Sequence, residues 1–123
     1  MSEGDFMADI QKTYAMVIGG VLAAVGLLGF FNNPILGLFI VNVAHNLVHL
    51  VSGALGLWLA NSGKGQMFNQ WFGIVYTVIA VLGFIPITAG LLENLLAVTM
   101  TDTVLHAALG LISLGVAYGV KAQ

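Results

Sequence analysis

Four apolar runs, each about long enough to cross a bilayer, take up most of this chain. They cover about residues 14–31, 35–60, 71–92 and 101–120. A helix needs ~20 apolar residues to cross ~30 Å of hydrocarbon. A lone strand in lipid would leave its amides and carbonyls unpaired, so helix is the only local option. The breaks between runs are marked by chemistry. Asn32-Asn33-Pro34 closes the first, because proline lacks an amide proton and pushes the preceding residue away from helical geometry. Asn61 to Gln66 is a polar loop. Pro86 lies inside the third run and either kinks it or ends it early. Residues 88–100, apolar but carrying Glu93 and Asn94, read as a short amphipathic or re-entrant helix at the membrane surface. The expected fold is all-α: a single domain forming a four-transmembrane-helix bundle.

Charge narrows the reading. Only 7% of residues are charged, against about 25% in soluble domains. Arginine is absent, and the cations are Lys12, Lys64 and Lys121, so there is no nucleic-acid footprint. The absence of cysteine excludes disulfides, thiolate metal sites and thiol catalysis. The acidic start (Glu3, Asp5, Asp9) is unlike a secretory signal, which opens with positive charge. With four spans, both termini and the middle loop share one side. All three lysines fall there, whereas Glu93 and Asp102 fall opposite. A lysine excess marks the cytoplasmic face. Both termini are therefore expected to be cytoplasmic, with the chain integral to a bacterial cytoplasmic or equivalent inner membrane. Tyr14, Trp58, Trp71 and Tyr118 lie near the cytoplasmic span ends, as an aromatic belt would.

A second pattern concerns the polar groups inside the spans. His45-x-x-x-His49-x-x-x-Gly53 recurs 57 positions later as Asp102-x-x-x-His106-x-x-x-Gly110. The same shift aligns Ala23 with Ala80, Gly26 with Gly83 and Ala60 with Ala117. Each unit holds two spans, so the copies insert with the same topology, as parallel two-helix repeats related by an axis along the membrane normal. His49 and His106 then lie at matching depth, with His45 and Asp102 one turn nearer the outside. Small-x-x-x-small patterns (Gly20/Ala24, Ser52/Gly56, Gly115/Gly119) are the expected points of close helix approach.

The stretch Ala44 to Leu50, the later Phe72-Gly73-Ile74-Val75-Tyr76 with Gly83-Phe84, and the Asp102/His106/Gly110 unit resemble a small bacterial four-helix membrane family catalogued as a domain of unknown function. The resemblance covers nearly the whole chain. It implies four helices and carries no established activity.

Residues four apart share a helix face. If the two stripes face each other, the interior holds three imidazoles and one carboxylate. Three chemistries fit that set. Imidazole suits zinc, copper, iron and nickel, so His45, His49, Asp102 and His106 are candidate ligands of a transition metal. His49 and His106 are also candidate axial ligands of haem, or one of them of the magnesium of a chlorophyll, with Gly53 and Gly110 leaving flat space beside the ring. Chains of Asp and His also mark proton relays in membranes. The plain alternative is that these groups bond to one another and orient the helices, at about 0.6 kcal/mol apiece. Asp102 is equally placed to cap the fourth helix. The cytoplasmic half shows little polar path beyond Ser113 and the Lys12 end.

No Ser-His-acid arrangement or phosphate-binding glycine loop stands out, so an enzyme is not expected. The expected role is a small accessory or scaffold subunit of a membrane assembly, with a metal or tetrapyrrole held by the histidines. Its partners would be other membrane subunits, further copies of itself and the lipid bilayer. The alternatives are a proton- or ion-handling protein using the same residues, or a purely structural membrane protein.

Overall fold

The computed structural model describes residues 2–120. Lys121, one of the lysines behind the orientation argument, lies outside them. The described residues form five helices: α1 (Glu3–Leu28), α2 (Val43–Asn61), α3 (Gly65–Phe84), α4 (Pro86–Leu96) and α5 (Met100–Gly119). All but α4 are long and apolar enough to cross a membrane.

Most helix starts have a local cause. Ser2 caps α1 in a reciprocal box with Asp5, and Thr99 caps α5 in the same way with Asp102. Each box satisfies amides that have no partner within the helix. Asn42 caps α2 by accepting from the His45 amide at 2.8 Å. Pro86 opens α4 at its first position, where a missing N–H does no harm. Pro86 therefore ends the third span rather than kinking it, and the connector is a helix with no buried residue.

Three spans differ from the extent of their apolar runs, α1 by starting at Glu3 within the polar N-terminal stretch. Residues 35–40, apolar enough to continue a helix, instead fold back as a loop. The Ile35 N–H donates to the Phe39 carbonyl at 2.7 Å. The Asn33 side chain donates to the Val41 carbonyl (2.8 Å) and accepts from the Val41 N–H (3.2 Å). Leu36 (φ 53°) and Gly37 (φ 73°) turn the chain. Hydropathy does not separate this loop from a helix, because Ile35 and Val41 are buried in it as a core residue would be. At the other end α3 starts at Gly65 and includes residues assigned to the polar loop. Polar groups in this first part of α3 find partners inside the protein: Gln66 Nε2 donates to the Ala117 carbonyl (2.9 Å), and Asn69 Nδ2 to Gln11 Oε1 (2.9 Å).

The helices form two hairpins. α1 packs along α2 and α3 along α5, and α1 and α3 make the main contact between hairpins. The hairpins repeat each other in contacts as well as in letters. Asn42 and Thr99, 57 apart, cap equivalent helices. Gly26 lies against the backbone of Asn46 and Leu50, and Gly83 against the side chain of Thr103, the counterpart of Asn46. Gly53 meets Gly19 and Ala23 backbone, while Gly110 meets Thr77. A Cβ at these glycines would overlap the neighbouring helix, so the crossings require a residue without one. The small-residue pairs of the sequence reading fare differently. Gly20, Gly115 and Gly119 face open space, Gly56 does lie at a close approach against the Phe68 ring and Gly19, and the other crossings use Gly26, Gly53, Gly83 and Gly110.

Between a third and two-fifths of each span's apolar window is buried. Val17, Val21, Val51, Val78, Leu111 and Ile112 lie more than half exposed on the outside. In water this would be a continuous apolar patch; around a bilayer-spanning bundle it is the surface that lipid solvates. Lys12 and Lys64 line one hollow at one end of the bundle. Trp58, Trp71 and Tyr118 are exposed in the half nearer that end. Tyr14 departs from the expected belt, since its hydroxyl turns inward and bonds Ser113 Oγ at 2.7 Å.

Candidate metal centre

At the end away from the lysines, α2 and α5 do not approach by backbone, but their side chains meet. His45 and His49 are the third and seventh residues of α2, and His106 is the seventh of α5. At ~1.5 Å rise per residue, His49 and His106 each lie about 9 Å along their helices from the start. The ring centroids of His45 and His49 are 4.4 Å apart, and those of His45 and His106 are 6.4 Å apart. One ligand nitrogen from each of the three falls within 4.8 Å of the others. Nitrogens around one zinc-like ion at ~2.0–2.1 Å lie about 3.3 Å apart, so a contraction of roughly 1.5 Å closes the set.

The three imidazoles share a further property: Nδ1 of His45, His49 and His106 is buried and lacks a hydrogen-bond partner. Buried polar atoms in proteins are nearly always paired, so three orphaned nitrogens in one cluster call for an explanation. No histidine side chain bonds Asp102 or another histidine; of the plain expectation only a backbone partner is met, the Leu96 backbone beside His45. His45 is 3% exposed and His106 7%, while His49 is half-buried.

Asp102 is buried too, but its Oδ2 is engaged by its own helix start. It accepts from the Thr99 N–H at 2.9 Å and from Thr99 Oγ1 at 3.1 Å. Of the two roles open to it in the sequence, the capping role is the one its geometry fills. Asp102 still lines the same cavity as His49 and His106, where its charge offsets part of that of any bound cation.

That cavity measures about 140 Å³ and is walled mainly by apolar side chains, among them Ile35 and Phe39 of the folded-back loop. Pockets for drug-sized ligands run ~300–1,000 Å³, so this space suits an ion and not a macrocycle. Gly53 and Gly110 leave no flat space beside the histidines, because the backbones of α1 and α3 already occupy it.

Several contributors were not singled out from the sequence. Tyr76 stands with its ring 5.0 Å from that of His106, at the top of a stacked ladder with Phe72 and Phe68. The four-residue spacing of Phe68, Phe72 and Tyr76 is a legible helical stripe. Gln11 and Asn69, at most 1% exposed, form a buried amide pair near the lysine end. Gln11 Nε2 also donates to the Val116 carbonyl at 2.9 Å. No periodic signal marked these two, since each is a single polar residue near a span end. The other polar residues stay outside the cluster. Asn42 donates to the Leu95 carbonyl (3.2 Å), Asn46 packs on Gly29, and Glu93 is exposed.

No curated protein and no solved structure matches the chain. The family resemblance read from its short motifs does hold: residues 12–119 match the family described as Domain of unknown function (DUF4383), and the chain belongs to it.

Proposed function

We propose that the protein is a small membrane subunit that holds one transition-metal ion between His45, His49 and His106. The convergence of three imidazoles from two helices, each with a buried Nδ1 that lacks a partner, carries this reading. Neutral imidazole is the preferred donor for zinc, copper, iron and nickel, and three such ligands leave a coordination position open. The lysines at the far end favour both termini in the cytoplasm, so the ion lies in the half of the bilayer away from it. The subunit keeps or presents the ion within a larger membrane assembly and does not turn over a substrate by itself. Elemental analysis of protein purified in mild detergent tests the reading. One zinc, copper, iron or nickel ion per chain is expected, lost in His45→Ala, in His49→Ala and in His106→Ala. A folded protein that takes up none of these ions, or binds one equally in all three alanine variants, would sink it. A Soret band in the purified protein would restore the tetrapyrrole.

A second reading, proton handling, is favoured by one observation. Polar side chains recur along the buried face of α5 from Asp102 to Val120. His106 is followed by Thr77 lying against Gly110, then by Ser113 bonded to Tyr14, then by Gln66 and Gln11 on the carbonyls of Ala117 and Val116. The Thr77 hydroxyl is buried without a partner. Asp and His chains backed by hydroxyls mark proton paths through membranes. Voltage-driven acidification of liposomes holding the protein, reduced in Thr77→Val and Ser113→Ala, supports this reading; liposomes no leakier than empty ones exclude it.

A further inference from the structure

The lysine end carries a feature that neither the histidine cluster nor the α5 column uses. A polar hollow of about 660 Å³ opens between the start of α1 and the α2–α3 turn. Its charged lining is mixed: Lys12 and Lys64 with Asp5 and Asp9. A separate apolar groove of about 430 Å³ runs between α2 and α3, walled by Leu55, Phe72 and Val75. Met67 lines both spaces, so the groove begins where the hollow ends. Trp58 and Trp71, each more than 60% exposed, stand along the groove. Exposed tryptophans favour the depth where headgroups meet hydrocarbon. Polar chamber, aromatic rim and apolar trough thus follow one another in the order of the parts of an amphiphile.

The other half of the repeat has a hollow of about 450 Å³ on α1, lined by Ile10 and Tyr14, the counterparts of Met67 and Trp71, but no tryptophan lines it. The positions matching Trp58 and Trp71 are Gly115 and Tyr14. Gly115 supplies no wall, and the Tyr14 hydroxyl is turned inward onto Ser113. Repeat symmetry therefore accounts for a hollow at this place but not for its two tryptophans.

We propose that this composite site binds one zwitterionic aminophospholipid, with a phosphate toward Lys12 and Lys64, a primary ammonium toward Asp5 and Asp9, and an acyl chain in the groove. The paired signs of charge select this occupant. An anionic lipid would meet two carboxylates without a compensating cation. A choline headgroup carries the positive charge but has no N–H to donate to them.

The test is native mass spectrometry of the full chain, delipidated in mild detergent and offered phosphatidylethanolamine, phosphatidylcholine and phosphatidylglycerol with identical acyl chains. One phosphatidylethanolamine per chain is expected, retained about tenfold better than phosphatidylcholine, the difference that one charge-assisted hydrogen bond makes. Lys64→Gln and Asp9→Asn should each bring retention down to the phosphatidylcholine level. Trp71→Ala should weaken retention of all three lipids. Far-UV circular dichroism and melting in detergent establish that each variant is folded, and His106→Ala should retain the lipid as well as the unaltered chain. Equal retention of the three lipids, a preference for phosphatidylglycerol, or a phosphatidylethanolamine preference unmoved by Lys64→Gln and Asp9→Asn overturns the proposal.

Discussion

The two hairpins are copies that agree in packing and differ in chemistry. Both have a capped second helix, a glycine crossing at Gly26 or Gly83, another at Gly53 or Gly110, and a histidine one turn before it. These shared features are what two helices need to lie close in lipid, where association rests on fitted surfaces and not on expulsion of water. The differences lie at both ends: Trp58 and Trp71 against Gly115 and Tyr14 toward the lysines, and the histidine set away from them. The first copy places His45 where the second places Asp102, and Gly19 where the second places Tyr76. The first hairpin is closed by a folded-back loop that walls the cavity, the second by the external helix α4. Identical halves would supply either two imidazoles or four. The set is three because His45 has Asp102 as its counterpart, and that carboxylate is engaged in its own helix cap.

The comparison breaks most readily at the glycine crossings. Gly53→Ala places a methyl on the backbone of Ala23 and is expected to lower stability by about 3 kcal/mol, with Gly110→Ala nearer 2 kcal/mol, the range of overpacked cores. Thermal melting in detergent measures both, and equal tolerance of the two would show that the crossings are looser than drawn.

The next effect separates the two chemistries. His45→Ala is expected to weaken metal binding about 100-fold or more, since even groups outside the coordination sphere are worth ~10–100-fold. Asp102→Asn, which keeps a capping side chain, should leave affinity within a few-fold. Competitive titration against a chelator reads both, and a large loss in Asp102→Asn would return the carboxylate to the ligand set.

A smaller effect sharpens the comparison of caps. Thr99→Ala removes a reciprocal box and is expected to destabilise α5 by about 1 kcal/mol; Asn42→Ala should cost a similar amount in α2. Amide hydrogen exchange over the first turn of each helix checks this, with protection lost locally. The smallest effect is Gly115→Ala, which meets open space and should shift stability by less than about 0.5 kcal/mol. A large loss there would mean that this face packs on another protein.

Much of the fold was legible in the chain. Four apolar runs, the breaks at Asn33-Pro34 and Pro86, and the repeat of His49 at His106 are local signals whose physics involves few neighbours. An amide in lipid must be bonded within its own helix, so length and hydropathy alone define a span. The stripe of His45 and His49 was readable for the same reason, since residues four apart on a helix meet whatever surrounds them.

Other features needed the third dimension. Residues 35–40 are as apolar as a span, yet Asn33 and the buried Ile35 hold them as a loop over the cavity, because burial against protein and burial in lipid look alike in a sequence. Which glycines face a neighbouring helix depends on how the hairpins are rotated, and this favoured Gly19 and Gly53 over Gly20 and Gly115. Asp102 was compatible with either a ligand or a cap until the position of Thr99 decided it. The sequence determined which residues lie in the membrane and which share a face; packing alone determined which faces meet, because side chains from α2 and α5 converge only once α1 and α3 have set their distance.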